Sequence, residues 1–153
     1  MSRFIIAVLL IFPITGFAQN FIGKSKTQVR KELQKQIAKN DSLSIILTEK
    51  ESELVYTIKP VKVLPAEFIY GFDKNGKCQS EKITANCDSC FNKFLTAALR
   101  HKKYGWKKIN ENQYVSKYTY RIMIELPADG NDFSYTILRT GWTKKLYKML
   151  KGN

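Results

Sequence analysis

Histidine is almost absent from this chain: His101 is the only one in 153 residues. A zinc centre built on imidazoles is therefore excluded, and a Ser-His-Asp triad would have to use that single residue. His101 precedes Lys102 and Lys103, which reads as the exposed end of a helix. No glycine-rich phosphate loop follows a strand pattern, so nucleotide chemistry has no foothold. Only four prolines are present, and no Pro-, Gly- or Ser-rich tract separates one half from the other. No internal repeat and no low-complexity segment is legible. Acidic residues are scarce, 13 against 26 Lys and Arg, giving a net charge of +13. Such a balance favours acidic partners, although lysines spread along a chain also serve simply as a solvated surface. No catalytic constellation, metal set or cofactor motif stands out, so no cofactor is expected.

What is present begins with a targeting pattern. Arg3 is followed by an uncharged apolar run from Phe4 to Phe12, then Pro13 and the small residues Gly16 and Ala18. This is the layout of a secretory signal peptide, with cleavage expected after Ala18. The run is short of the roughly 20 residues that span a bilayer. No cysteine follows it, so no lipoprotein anchor is expected. Residues 1–18 are read as signal and 19–153 as one domain of about 135 residues, enough to bury a core without help from disulfides. The expected location is the periplasm or the secreted space. There the acidic partners at hand are lipid, lipopolysaccharide, acidic glycan or protein, and nucleic acid is a poor candidate.

Ser25-Lys26-Thr27-Gln28 has the pattern of a capping box, and Val29, Leu33 and Ile37 make one apolar stripe on a helix ending near Asn40-Asp41. Leu43 to Leu47 and Leu54 to Ile58 read as a hairpin with a polar tip. Glu49, Glu51 and Glu53 alternate in that tip, which suits solvated charge beside Lys50 better than a metal site. Pro60 and Pro65 make the piece between them a connection or sheet edge. Trp106 to Asn112 reads as a connection. Tyr114 to Leu126 then reads as one long extended run, with Tyr118, Tyr120, Ile122 and Ile124 on one parity. Pro127 to Asp132 has turn chemistry, and Phe133 to Thr140 returns as the partner strand with Phe133, Tyr135 and Ile137 alternating.

The best-patterned stretch runs from Glu67 to Gly105. Asp73-Lys74-Asn75-Gly76 fits either a two-residue turn or a type I turn with Gly76 in the left-handed region. The first places Phe72 opposite Gln79 and Tyr70 opposite Glu81. The second places Phe72 opposite Cys78 and Tyr70 opposite Ser80, and Asp and Gly at the outer turn positions favour it. Cys78 would then lie on the aromatic core face. Asp88 or Ser89 can cap a helix carrying Phe91, Phe94, Leu95, Ala98 and Leu99, with Gly105 placed to stop it.

Cys87-Asp88-Ser89-Cys90 is a C-x-x-C at a helix start, where the helix dipole can activate a thiol. A thiol-disulfide oxidoreductase using Cys87 and Cys90 is thus the alternative reading. Export and the hairpin-then-helix order favour a structural bridge. Cys78 with Cys87, Cys78 with Cys90, and Cys87 with Cys90 all remain open as pairs, the first two stapling hairpin to helix.

Two stretches mix cations with aromatics. Lys102, Lys103, Trp106, Lys107 and Lys108 form one, where Trp106 would also tether a helix end. Trp142, Lys144, Lys145 and Lys148 form the other, on a tail to Lys151 whose Trp142, Leu146, Met149 and Leu150 recur at helical spacing. Such a tail either docks on the domain or lies on a membrane surface.

Ile22-Gly23-Lys24-Ser25-Lys26-Thr27-Gln28-Val29, with Leu33, resembles the opening of the SmpA/OmlA-type small outer-membrane assembly proteins, in which a Gly, a Ser or Thr cap and a Val start the first helix. The resemblance covers about a dozen residues and rests on the capping box. The chain departs from it after Asn40, where strands replace a second helix, and it lacks the lipoprotein cysteine. No functional residue carries over. The expected fold is α+β: an antiparallel sheet of about five to seven strands packed by two main helices, 25–39 and 89–104, with a short C-terminal helix. The expected role is a non-enzymatic binding or interaction module of the cell envelope or secreted space.

Overall fold

A computed structural model describes residues 20–39, 44–59, 66–128 and 132–151. The expected signal segment and cleavage site, the helix end at Asn40-Asp41, the piece from Pro60 to Pro65 and the turn residues Asp129-Gly130-Asn131 lie outside the described residues. The order of elements is α1 (Lys26–Lys39), β1 (Ser44–Glu49), β2 (Glu53–Lys59), β3 (Ala66–Phe72), β4 (Cys78–Ala85), α2 (Asp88–Leu99), β5 (Lys107–Asn110), β6 (Gln113–Val115), β7 (Ile122–Glu125), β8 (Ser134–Arg139) and α3 (Lys144–Lys151). The class is α+β, with one open antiparallel sheet in the order β1-β2-β3-β4-β8-β7-β6-β5. Each half is a helix followed by a four-strand meander. The last strands of the two meanders, β4 and β8, join them. The topology thus repeats where the sequence does not.

Alternation builds the core. Leu54, Tyr56 and Ile58 on β2 stand opposite Tyr70, Phe68 and Ala66 on β3, and Phe68 in turn stands opposite Ile83 on β4. Across the seam Ile83 meets Tyr135 and Glu81 meets Ile137. These apolar side chains are buried on one face beneath α1 and α2. Val29 and Leu33 of α1 are fully buried there, as the stripe requires. The capping box forms: the Ser25 amide donates to Gln28 Oε1 at 2.9 Å, and the Gln28 amide to Ser25 Oγ at 3.3 Å.

The opposite face follows the other parity. Val115, Met123 and Leu138 align across β6, β7 and β8. Val115, Met123 and Tyr147 of α3 are buried outside the main cluster, so α3, which packs against β5, backs this second face. The next row on the same face is Gln113, Glu125, Thr136 and Lys82.

The β3–β4 turn is the bulged one. Gly76 has φ +66°, its amide donates to the Asp73 carbonyl at 2.8 Å, and Asp73 Oδ1 accepts from the amides of Asn75 and Lys77. Phe72 therefore faces Cys78, as expected. Tyr70 faces Glu81 rather than Ser80, because Gln79 is an extra residue in β4 and shifts the register between Phe72 and Gly71. That second bulge puts Cys78 and Glu81, three residues apart, on the same face.

Four further expectations are corrected. Among the described residues the strands number eight, not five to seven. Trp106 to Asn112 is not a plain connection: β5 lies inside it and turns back through Asn110, whose Oδ1 accepts from the Asn112 amide at 2.9 Å. The run from Tyr114 to Leu126 is broken by a loop in which Ser116 and Ile122 bond each other and Arg121 takes φ +49°. Finally, α2 starts on a Cys87 cap, not Asp88 or Ser89, and ends at Leu99 instead of 104. Its end is fixed by the Trp106 indole, which donates to the Ala98 carbonyl at 3.0 Å. Tyr104 then packs edge-on against Tyr120, with ring centroids 5.1 Å apart. Burying that ring outweighs one more helical turn, and Gly105, at φ +55°, serves the turn that follows.

Candidate functional site

Part of the first basic stretch, Lys107 and Lys108 on β5, meets the second at one edge of the sheet, because α3 packs against β5. Lys107 stands opposite Val115 on the face that α3 covers. Lys144, Lys145 and Lys148 are all exposed on the helix. Lys108 bonds Glu111 at 2.8 Å. Lys103 lies over the rings of Tyr104 and Tyr120, 5.5 Å from each centroid, and Lys102 is exposed in the same turn.

The aromatics expected in this patch have structural work instead. Trp106 tethers the end of α2, as above. Trp142 packs edge-on against Tyr147 at 5.6 Å. The docking residue of α3 is Tyr147, whose hydroxyl hydrogen-bonds Thr140 Oγ1 at 2.8 Å and whose ring meets Tyr118. The expected stripe is rotated accordingly: Met149 points to solvent at 62% exposure. Tyr147 was missed because its phenol reads as polar, although it falls one residue after Leu146 on the buried side.

The cysteines resolve in the least stapling way. Cys87 and Cys90 form the disulfide, with Cα atoms 5.1 Å apart. Cys78 is free and buried, with Sγ 3.6 Å from the Ser80 carbonyl oxygen. Burial pushes its thiol up, and the nearby Glu81 carboxyl adds to that. The hairpin-to-helix staple is therefore not made. A four-residue ring constrains the unfolded chain by about 2 kcal/mol, against about 3 for a Cys78–Cys90 ring. Cys87 is half-buried and Cys90 fully buried. The Cys90 amide donates to Cys87 Sγ at 3.1 Å, and Ser89 Oγ lies 3.3 Å from the same sulfur.

Glu81 is a buried carboxyl that the sequence patterning did not single out; its signal is an acid on the parity of Ile83 and Ala85. Its side chain accepts from the Phe21 amide, fixing the segment ahead of α1. Phe21 is itself buried edge-on against Tyr70, with centroids 5.4 Å apart. The same segment runs beside the β3–β4 turn, where the Gly23 amide donates to the Cys78 carbonyl at 2.7 Å and the Cys78 amide to the Lys24 carbonyl at 2.9 Å. Burial raises the Glu81 carboxyl to about 8, opposed by the amides of Phe21 and Ile22 and by Lys24.

Elsewhere, a depression of about 830 Å³ lies at the polar end of the second face. Its side chains largely satisfy one another: Gln113 donates to Glu125, Asn110 to Gln113 and Ser134 to Asp132, while Lys82 sits 3.5 Å from Asp132. Glu49, in the β1–β2 tip, is held by Lys26 and Arg30. Among the described residues, no helix is long and apolar enough to cross a membrane, and no group of His, Cys, Asp and Glu is placed to hold a metal ion. No family model, curated protein or solved structure matches the chain.

Proposed function

We propose that this is an exported binding module whose β5–α3 edge contacts an anionic envelope component. The observation that carries the reading is the packing of α3 on β5, which brings Lys144, Lys145 and Lys148 to the strand of Lys107 and Lys108. A chain with twice as many basic as acidic residues concentrates part of that excess on a helix whose inner side is fixed by Tyr147. The helix thereby holds its lysines on a rigid element, and a headgroup surface is the anionic partner that a convex row of ammonium groups can meet without a cavity. The contact is peripheral and involves no chemistry.

Vesicle co-sedimentation tests this. The protein is expected to bind phosphatidylglycerol-containing vesicles, to ignore phosphatidylcholine vesicles, and to release as salt is raised. Replacing Lys144, Lys145 and Lys148 by Gln should weaken binding about fivefold per lysine. Equal binding to neutral and anionic vesicles, or an unaltered triple variant, would overturn the reading.

A further inference from the structure

We infer that the Cys87–Cys90 bridge is a reactive disulfide that accepts electrons from dithiols, an activity separate from the basic edge. Three observations converge. The bridge links residues three apart and joins no second element, so it holds together nothing that α2 does not already hold. Its two sulfurs differ in access: Cys87 is half-buried at the mouth of the helix, and Cys90 is buried in the core cluster. Cys87 Sγ also receives the Cys90 amide at 3.1 Å and lies 3.3 Å from the Ser89 hydroxyl. Those groups stabilise a thiolate on Cys87 more than a thiol. The third cysteine takes no part, being buried beneath the sheet face with its thiol held protonated by that burial.

The exchange proceeds in two steps. A substrate thiolate attacks Sγ of Cys87, forming a mixed disulfide; the Cys87–Cys90 bond breaks and its electron pair leaves on the Cys90 sulfur, which takes up a proton. The second substrate thiol, as thiolate, attacks the substrate sulfur of the mixed disulfide and expels Cys87 as a thiolate, which is then protonated. Two electrons and two protons pass from the dithiol to the protein, and the substrate leaves as a disulfide. A small disulfide such as oxidised glutathione restores the bridge and departs as two thiols. The substrate class is an accessible dithiol in a polypeptide, since α2 offers the exposed side chains of Asn92, Lys93 and Thr96 on an open surface beside the motif.

The test needs no variant to begin. The oxidised protein is mixed with a reduced dithiol peptide, and both partners are followed by intact mass. The reduced protein is separately alkylated at pH 7, native and in urea. The expected results are stoichiometric oxidation of the peptide and native alkylation of Cys87 about tenfold or more faster than in the unfolded chain. Ser89→Ala should lower that native rate. A native bridge that dithiothreitol does not open, or a Cys87 that alkylates no faster folded than unfolded, would overturn the inference.

Discussion

Glu81 is an ionisable group beside Tyr70, Cys78, Tyr104 and Tyr135, with Lys24 the cation facing it. Burial places its native pKa at about 8, whereas an unfolded Glu titrates near 4.3. The native state therefore holds a proton that the unfolded chain has already lost, and unfolding releases it. Linkage makes this contribution fully present below about pH 4.3 and progressively lost as pH rises through the native value, at about 1.4 kcal/mol per unit of difference. The urea midpoint is thus expected to fall between pH 5 and pH 9, and Glu81→Gln, which keeps an acceptor for the Phe21 amide, should flatten that slope. A wild-type midpoint constant across the interval would contradict the assignment. Glu81 was legible only as an acid on the parity of Ile83 and Ala85. Its place on the face of Cys78 was not, because that depends on one extra residue, Gln79, and no composition rule announces a bulge there. Cys78, by contrast, was placed on the core face correctly, because the turn that sets it is written in Asp73 and Gly76.

The same contrast holds for whole elements. Helix α1, the β3–β4 turn and the pairing of β7 with β8 were legible because local chemistry specifies each: a capping box, a glycine at positive φ, a turn between alternating runs. Gly76→Ala is expected to cost about 1 to 2 kcal/mol from backbone strain alone, since a Cβ there would touch nothing within 4 Å; thermal melts would register it. Elements that depend on distant contacts were misjudged. The loop Ser116–Arg121 contains neither Gly nor Pro, so its tyrosines passed for strand, and α2 closes at Leu99 through two distant contacts, the Trp106 bond to the Ala98 carbonyl and the burial of Tyr104 against Tyr120. Trp106→Phe should remove the bond to the Ala98 carbonyl, cost about 1 kcal/mol and speed amide exchange over the last turn of α2. For α3, Tyr147→Ala should cost about 3 to 4 kcal/mol and open the helix to proteolysis. Tyr147→Phe, losing only the bond to Thr140, should cost about 1 kcal/mol. Similar losses for the two variants would mean that the ring contributes little to docking. The basic residues of the candidate edge were all legible; their meeting was not, because it arises where α3 folds back on β5.

Across the whole molecule, two meanders share one core through the seam of β4 and β8. Ile83 with Tyr135 and Glu81 with Ile137 belong to both halves at once, so neither half can lose its structure without uncovering the other. Unfolding is expected to be one cooperative transition. Both tryptophans, Trp106 and Trp142, lie in the second half, so fluorescence reports that half while far-ultraviolet circular dichroism reports both. Coincident urea curves are the expected outcome, and separated midpoints would show that the halves unfold apart. The seam also sets an order of assembly. Chains are made from the N-terminus, and the first meander is complete once Ala85 has emerged. Yet β4 lacks its second neighbour until Ser134–Arg139 arrives. For that interval the middle of the future sheet is an outer edge, with open backbone groups able to pair with another nascent chain. A strand paired on both sides in the finished sheet is thus an open edge until β8 docks, and a chaperone attending this protein would have its work there.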